Sequence, residues 1–370
     1  MPHDPYKALY IHLPFCKHRC AYCDFTTRAI SADSVEIDEY IDSLVLDIRR
    51  KAKEGELSSI ETVYLGGGTP SYLGQKRLSK LLYALGVSMN LAPSVECSME
   101  ANPDSLTPEL IRDIYALGVN RLSIGVQSFD DDLLRTLDRI HDSARAKQAI
   151  LDARERFDNV SVDLMCGVPG QTPDMFQADV QTAVDLGISH VSVYPLTIED
   201  HTPFRNMVDA GQMPDVNQDE QALMMSMAPN VLTPAGFHRY EVASYALDGF
   251  ECKHNKAYWT GVPYLGLGVS AVTMTQNSSR RMRVQDGQVQ DDLNARQMCA
   301  EDLMMKMRMT CGVSDDELKA AAVVLPECLD VFRSLVRDRL VERSDGRWKP
   351  TFGGWLLGNE LYGRIYELAP

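Results

Sequence analysis

Three absences narrow the possibilities at once. No apolar run approaches the ~18 residues a bilayer span needs. The opening segment, residues 1–7, has no basic stretch followed by an apolar one, so no export signal is expected. Excess positive charge is missing too: 37 Lys and Arg stand against 52 Asp and Glu, a net charge of −15. Affinity for nucleic-acid backbones rests on neutralising phosphates, so no nucleic-acid partner is expected. Repeats and low-complexity runs are absent, and 24 Gly with 18 Pro is ordinary usage, which excludes collagen-like classes. Cysteine is present in an odd number, nine, with three of them between positions 16 and 23. A small secreted disulfide framework carries an even set. The expected compartment is therefore a reducing cytoplasm, where clustered cysteine signals metal or catalysis before it signals disulfides.

At 370 residues the chain is too long for one ordinary domain. Six Val-, Ile-, Leu- and Tyr-rich segments read as buried strands: 8–12, 62–66, 94–99, 121–125, 161–166 and 190–194. Helical periodicity fills the gaps at 36–53, 76–85, 108–117, 144–157 and 174–186, with Gly86, Gly118 and Gly187 placed as C-caps. Strand–helix–strand at this pace means right-handed βαβ units and a parallel sheet. The expected class is α/β: an incomplete barrel over residues 1–200, or an open sheet covered on both faces. Residues 201–299 read as a connecting region: a loop at 195–214, a Met-rich helix at 217–232 and an irregular aromatic stretch at 240–271. Residues 300–370 read as three helices, a hairpin around Asp345-Gly346 and a last helix, an α+β, winged-helix-like order. This last region carries twelve acidic against ten basic residues, which favours a lid or partner-binding domain over a DNA reader.

The residues least suited to packing fall at the ends of the predicted strands, which share one rim in a parallel barrel. Cys16-x3-Cys20-x2-Cys23 follows the first. Three thiolates leave one iron of a [4Fe–4S] cluster open for an exchangeable ligand. Zinc, closed by His12 or His18, is the alternative, and ligand softness favours the cluster. The other six cysteines read as small buried apolar residues. Gly66-Gly67-Gly68-Thr69-Pro70 follows the second strand and lets a ligand approach the backbone closely. No Lys follows the glycines as a phosphate loop requires, and an amino group fits better. Glu100, Gln127, Arg139 and Asp163 offer acceptors for ribose hydroxyls and donors for a carboxylate; a structural network, such as Glu100 with Arg121, is the other reading.

These motifs resemble the radical S-adenosylmethionine (SAM) superfamily. Tyr10-Ile-His-Leu-Pro-Phe-Cys16, Arg121-Leu-Ser-Ile-Gly-Val-Gln127, Asp163-Leu-Met-Cys-Gly-Val-Pro169 and Gly266-Leu-Gly-Val-Ser-Ala271 resemble its oxygen-independent coproporphyrinogen dehydrogenase (HemN) group. The decarboxylating members carry a further Cys two residues beyond the third, where this chain has Phe25, and an N-terminal extension that is not expected here, since the barrel begins almost at once with Tyr10. His254-Asn255-x2-Tyr258-Trp259 is similar instead to the HNxxYW motif of HemW-type haem chaperones.

The resemblance implies a partial (β/α)6 radical-SAM barrel with a C-terminal winged-helix-like domain. It implies a [4Fe–4S] cluster on Cys16, Cys20 and Cys23 with SAM on the open iron, contacted by Tyr10, Gly67 and Glu100. Tyr22, Gly68, Thr69, Gln127, Arg139 and Asp163 correspond to a second SAM site in the dehydrogenase, and Pro195 and Val272 to further SAM contacts. The superfamily's shared chemistry is reductive cleavage of SAM. The function implied is haem binding and transfer to an acceptor protein, with a flavodoxin or ferredoxin as reductant and a respiratory acceptor as one possibility. His254 is the expected haem ligand, with Tyr258 and Trp259 stacking on the porphyrin and Cys252 as a second donor. Met224, Met225, Met227, Met304, Met305, Met307 and Met309 read as core. The competing functions are radical decarboxylation of coproporphyrinogen III, radical haem breakdown, and a zinc-structured interaction module.

Overall fold

A computed structural model of the chain describes residues 3–89 and 94–370. Twelve strands form one sheet: β1 (Ala8–Leu13), β2 (Thr62–Gly67), β3 (Glu96–Ala101), β4 (Arg121–Gln127), β5 (Asn159–Cys166), β6 (His190–Pro195), β7 (His238–Arg239), β8 (Ser244–Ala246), β9 (Tyr264–Leu267), β10 (Val272–Asn277), β11 (Arg280–Gln285) and β12 (Gln288–Asn294). Their order is β12-β11-β10-β9-β1-β2-β3-β4-β5-β6-β8-β7. Strands β1 to β6 run parallel in chain order, as the six-unit barrel requires.

The helices between them obey simple rules. Pro108–Ala116, Pro173–Asp185 and Pro203–Asp209 each start with Thr-Pro: the threonine side chain accepts a first-turn N–H and the proline occupies a position whose own N–H would be unpaired. Val35–Lys53 buries Ile37, Ile41, Leu44, Val45 and Ile48, one stripe at helical spacing. Gly118 (φ 101°) and Gly187 (φ 70°) terminate their helices in the left-handed region, as their positions predict. Gly86 does not: the helix Gly74–Ser88 runs through it, because Val87 and Ser88 continue the turn.

The region expected to be a connector contains more order than its sequence suggests. Tyr264–Leu267 is a seventh parallel strand, seated beside β1. It is four residues long with a glycine inside, too short for any periodicity to register. Antiparallel hairpins β10–β12 extend that edge, and β8 and β7 extend the other. The Met-rich helix lies at Gln218–Leu232, close to its predicted place.

The C-terminal part has helices Ala295–Lys306, Asp315–Val324 and Cys328–Arg337, then the hairpin Val341–Ser344/Arg347–Pro350. Asp345 (φ 53°) and Gly346 (φ 72°) turn it through the left-handed region, as expected for this dipeptide. Val313–Ser314 adds a third strand, and the last helix is two short ones, Phe352–Leu356 and Gly358–Tyr366. This part has its own apolar cluster around Phe332, Leu335, Leu361 and Ile365. It is tied to the barrel by Trp355, whose Nε1 donates to the Val242 carbonyl at 2.7 Å while the Arg239 guanidinium lies 3.9 Å from its ring centre. Among the described residues no helix is long and apolar enough to cross a membrane.

Phe332 is fully buried, so Phe332→Ala leaves a cavity and should cost ~3–5 kcal/mol. Urea unfolding checks this; a loss under ~1 kcal/mol would mean that the C-terminal core collapses freely around the gap.

Candidate functional site

Immediately after β1, the chain pairs Phe15–Cys16 with Arg28–Ala29, which closes residues 16–28 into a loop over the barrel rim. Its three thiols all line one cavity of about 460 Å³ in the barrel mouth. Each thiol has a polar neighbour. The Thr69 hydroxyl donates to Cys16 Sγ at 3.4 Å, Arg139 Nη1 donates to Cys20 Sγ at 3.4 Å, and Cys23 Sγ lies 3.8 Å from the Thr27 hydroxyl. Burial raises the Cys16 and Cys20 thiols above their ordinary pKa, and the Thr69 hydrogen bond and the Arg139 charge respectively oppose that rise.

Both candidate fourth ligands of a zinc site are hydrogen-bonded elsewhere. Among the described residues, no three His, Cys, Asp or Glu side chains are gathered to hold one metal ion. His12 Nε2 bonds the Thr26 carbonyl (2.8 Å) and its Nδ1 the Tyr10 hydroxyl (3.0 Å), while His18 pairs with Asp138 at 2.7 Å. The donor set that remains is three soft thiols on the wall of one roomy, partly polar cavity, which suits a cluster better than a single ion.

The glycine strip sits against this loop with no room to spare. The Gly68 N–H donates to the Leu13 carbonyl and the Thr69 N–H to the Phe15 carbonyl, both at 2.9 Å. A Cβ on Gly68 would lie 2.7 Å from that Leu13 oxygen. Gly67 adopts φ 107°, and the His12 ring covers the place its Cβ would take.

Inside the barrel the parallel strands alternate. Val63 and Leu65, Leu122 and Ile124, and Val160 and Val162 face the helices, whereas Tyr64, Arg121, Ser123, Asp163 and Ser192 line the cavity. This period of two is a signal in the sequence that points to an interior polar layer; of its members only Asp163 stood out by strand position alone. Asn102, just past the third predicted strand, also lines the cavity. Arg139 joins the two: its Nη2 donates to Asn102 Oδ1 at 3.0 Å and to the Gly125 carbonyl at 2.5 Å. Gln127 follows a bulge in β4 and holds φ 71°, a strained value for a side-chain-bearing residue, and the bulge re-aims its amide into the cavity.

Glu100 Oε2 accepts from the Gly67 N–H at 2.9 Å and Oε1 from the Tyr64 hydroxyl at 3.0 Å. Burial pushes its carboxyl up to about 7, and the charge of Asp163 adds to the rise. Asp163 accepts from Ser123 at 3.3 Å and is pushed by burial to about 6. Beneath them Arg121 is 2% exposed.

The expected residues fall into two adjoining cavities. Tyr22, Gly68, Thr69, Gln127, Arg139 and Asp163, assigned to a second ligand, share the cavity of the thiols. Tyr10, assigned to the cluster-bound ligand, faces a separate cavity of about 400 Å³ with Val272, Tyr258 and Tyr264. Gly67, Glu100 and Phe25 border both.

His254, the expected haem ligand, lies inside the fold. It is 1% exposed, with Nδ1 bonded to the Thr62 hydroxyl (2.9 Å) and Nε2 to the Tyr258 hydroxyl (3.3 Å). Its ring lies 5.0 Å from that of Tyr64, and neither nitrogen is free for iron in this arrangement. The Glu96 carboxylate, at the start of β3, accepts from the Lys253 N–H (2.9 Å) and the His254 N–H (3.1 Å), so the helix Lys253–Trp259 is pinned at the N-terminal ends of the barrel strands. Cys252 is fully buried beside Glu96, and Trp259 Nε1 donates to Glu241 at 3.2 Å. The motif holds the base of the barrel together.

Residues 10–183 match the Radical SAM superfamily. Across 96% of its length the chain is 35% identical to the Heme chaperone HemW of Bacillus subtilis (strain 168), covering 98% of that protein. The chain belongs to the HemW family of radical SAM proteins. It is also 37% identical, over 72% of its length and 70% of the relative's, to the Heme chaperone HemW of Escherichia coli (strain K12). Its fold is that of coproporphyrinogen III oxidase (HemN) from Escherichia coli, with a TM-score of 0.80 over 99% of this chain and 91% of that one at 22% identity. Phe25, two residues beyond Cys23, borders the thiol cavity.

Two outcomes follow for the cluster-free chain. Between about pH 4 and 7 the folded state keeps protons on Glu100 and Asp163 that the unfolded chain releases, so stability falls as pH rises through that window. Urea titrations at pH 5 and pH 8 should show the fall, and Glu100→Gln should flatten it; a steeper fall in the variant contradicts the assignment. His254→Ala strands the Thr62 and Tyr258 hydroxyls and should lower stability by ~1–3 kcal/mol, measured in the same titrations.

Proposed function

We propose that the chain is a haem chaperone: it binds haem, passes it to an acceptor protein, and carries a [4Fe–4S] cluster on Cys16, Cys20 and Cys23 with SAM on the fourth iron. The observation that carries this reading is the full-length relationship to HemW chaperones, joined to three thiols on one cavity wall and Phe25 in place of a further cysteine. When bound, the reduced cluster supplies the electron that breaks a sulfonium carbon–sulfur bond of SAM.

The side chains have distinct tasks in that arrangement. Arg139, already held by Cys20, Asn102 and Gly125, presents a fixed positive charge for the carboxylate of SAM. Its buried Nε has no partner among the described residues, which leaves a donor to spare. Gln127 and Asp163, on the same cavity wall, would offer acceptors to its ribose hydroxyls. Thr69 both steadies Cys16 and accepts from Asn102, at 3.2 Å. Tyr22 closes the side of the cavity, where its phenol, raised well above its usual pKa by burial, stays neutral. Tyr10, Gly67 and Glu100 stand at or behind the partition between the two cavities and would meet SAM from one side. A flavodoxin or ferredoxin as reductant, a cytoplasmic location and a respiratory acceptor are consistent with this chemistry.

Anaerobic reconstitution tests the proposal. The wild type should bind about four irons and four sulfides per chain, and Cys16→Ala, Cys20→Ala and Cys23→Ala should each lose them. Haem should then bind one to one and move to an apo-acceptor on mixing. Conversion of coproporphyrinogen III by the reduced, SAM-loaded protein would assign it to the dehydrogenase branch instead. Loss of the Soret band under those conditions would assign haem breakdown.

A further inference from the structure

We propose that Arg121 is a positioning residue for SAM: from the floor of the thiol cavity its buried charge keeps Asp163 an anion, able to accept from both ribose hydroxyls. The inference rests on the SAM-binding reading of that cavity and adds how its ribose acceptor is held ready.

Arg121 opens β4 and shares with Arg281 the deepest burial of any arginine described, 2% exposed. Arg281 answers its burial with ion pairs to Glu301 and Asp302. Arg121 forms no ion pair among the described residues, and its buried Nε has no hydrogen-bond partner among them. The floor carboxylate that could have paired with it, Glu96, is spent on Cys252 and on the Lys253 and His254 N–H groups. A buried guanidinium without a contact partner is costly, so its charge must be answered across space. It lines the same cavity as Asp163. In such an interior, charges act on one another more strongly than in water.

Strand register puts the two groups on one line. The inward positions of β4 are Arg121, Ser123 and Gly125, and Gly125 is level with Asp163 on β5. Asp163 leans toward the floor from that level, because the Ser123 hydroxyl donates to it at 3.3 Å. Arg121 is the next inward step below Ser123, about 7 Å along the strand, a step that an arginine side chain covers. The other titratable groups around Asp163 are Glu100 on β3, Tyr64 on β2, Tyr194 on β6 and Arg139. Burial keeps both phenols neutral, and Glu100 can only add negative charge. Of the two cations, Arg139 is held by Cys20, Asn102 and Gly125 and is given to the carboxylate of SAM. Arg121 is left to face Asp163. Burial raises the Asp163 carboxyl to about 6, and the charge of Arg121 is the largest influence opposing that rise. A protonated carboxyl would turn one acceptor into a donor and lose the strength of charge-assisted bonds to the ribose.

Anaerobic titration of SAM into reconstituted protein, from about pH 5.5 to about pH 9, tests this. Wild-type affinity should fall on the acid side as Asp163 takes up its proton, near pH 6. Arg121→Met should move that fall upward by roughly one pH unit, so that SAM binds ~3- to 10-fold more weakly at about pH 6 and within ~2-fold of wild type at about pH 9. Arg121→Lys, which keeps a charge, should titrate like the wild type. Glu100 and the amino group of SAM titrate in the same range, and an Asp163→Asn background separates them: there Arg121→Met should change SAM affinity less than ~2-fold at every pH. Iron content checks that each variant is folded around its cluster; if Arg121→Met is not, Arg121→Gln takes its place. An acid limb that stays put in the charge-free variants, one that moves equally in Arg121→Lys, or a shift that survives in Asp163→Asn overturns the proposal while the SAM reading stands. A wild type that binds no SAM across the range overturns both.

Discussion

Everything at the barrel mouth depends on the close approach of two backbones. Gly68 lies against the Leu13–Phe15 segment, N–H to carbonyl, at a distance that excludes any side chain. That contact sets the height of Cys16, lets Thr69 reach its sulfur, and fixes where the loop bearing Cys20 and Cys23 begins. The same strip, one residue earlier, places the Gly67 N–H on Glu100 and so builds the partition between the two cavities. A single substitution there would disturb the thiols, the partition and both cavities together.

The barrel interior departs from the filled apolar core usual for (β/α) barrels. Polar and charged groups stack down its axis, from Glu100 and Asp163 to Arg121 and Glu96. Burying them is costly, and the cost is limited by arrangement. Glu100 and Asp163 ionise at higher pH than ordinary carboxyls, Glu96 is held by two backbone N–H groups, and Arg121 lies among several partial negative charges. A ligand with hydroxyls, an ammonium and a carboxylate can exchange hydrogen bonds with such a lining, which an apolar core would reject. The helix Lys253–Trp259, pinned by Glu96, lies at the base of this polar shaft.

Much of this was legible beforehand because the barrel units obey local rules. Gly stops at Gly118 and Gly187 and Val/Ile runs mark the six parallel strands and their helices. The spacing of three cysteines and the run of three glycines survive any tertiary detail. What was not legible depends on contacts between distant residues. Tyr264–Leu267 becomes a strand only because β1 offers it an edge. The boundary of β3 shifts toward Glu96–Ala101, which puts Glu100 within the strand rather than beyond it. His254 is ligand-like in sequence, yet Thr62, Tyr64 and Tyr258 enclose it from two other elements. The motif's neighbour Tyr258, not its histidine, reaches a cavity.

The central claim is that three thiols leave one iron open to SAM in the cavity that also holds Arg139, Gln127 and Asp163. Electron paramagnetic resonance of the reduced, reconstituted protein tests it most directly. Added SAM should shift the cluster signal, and SAM carrying nitrogen-15 in its amino group should show hyperfine coupling to the cluster. A signal indifferent to SAM, with a fourth protein ligand in its place, would contradict the account.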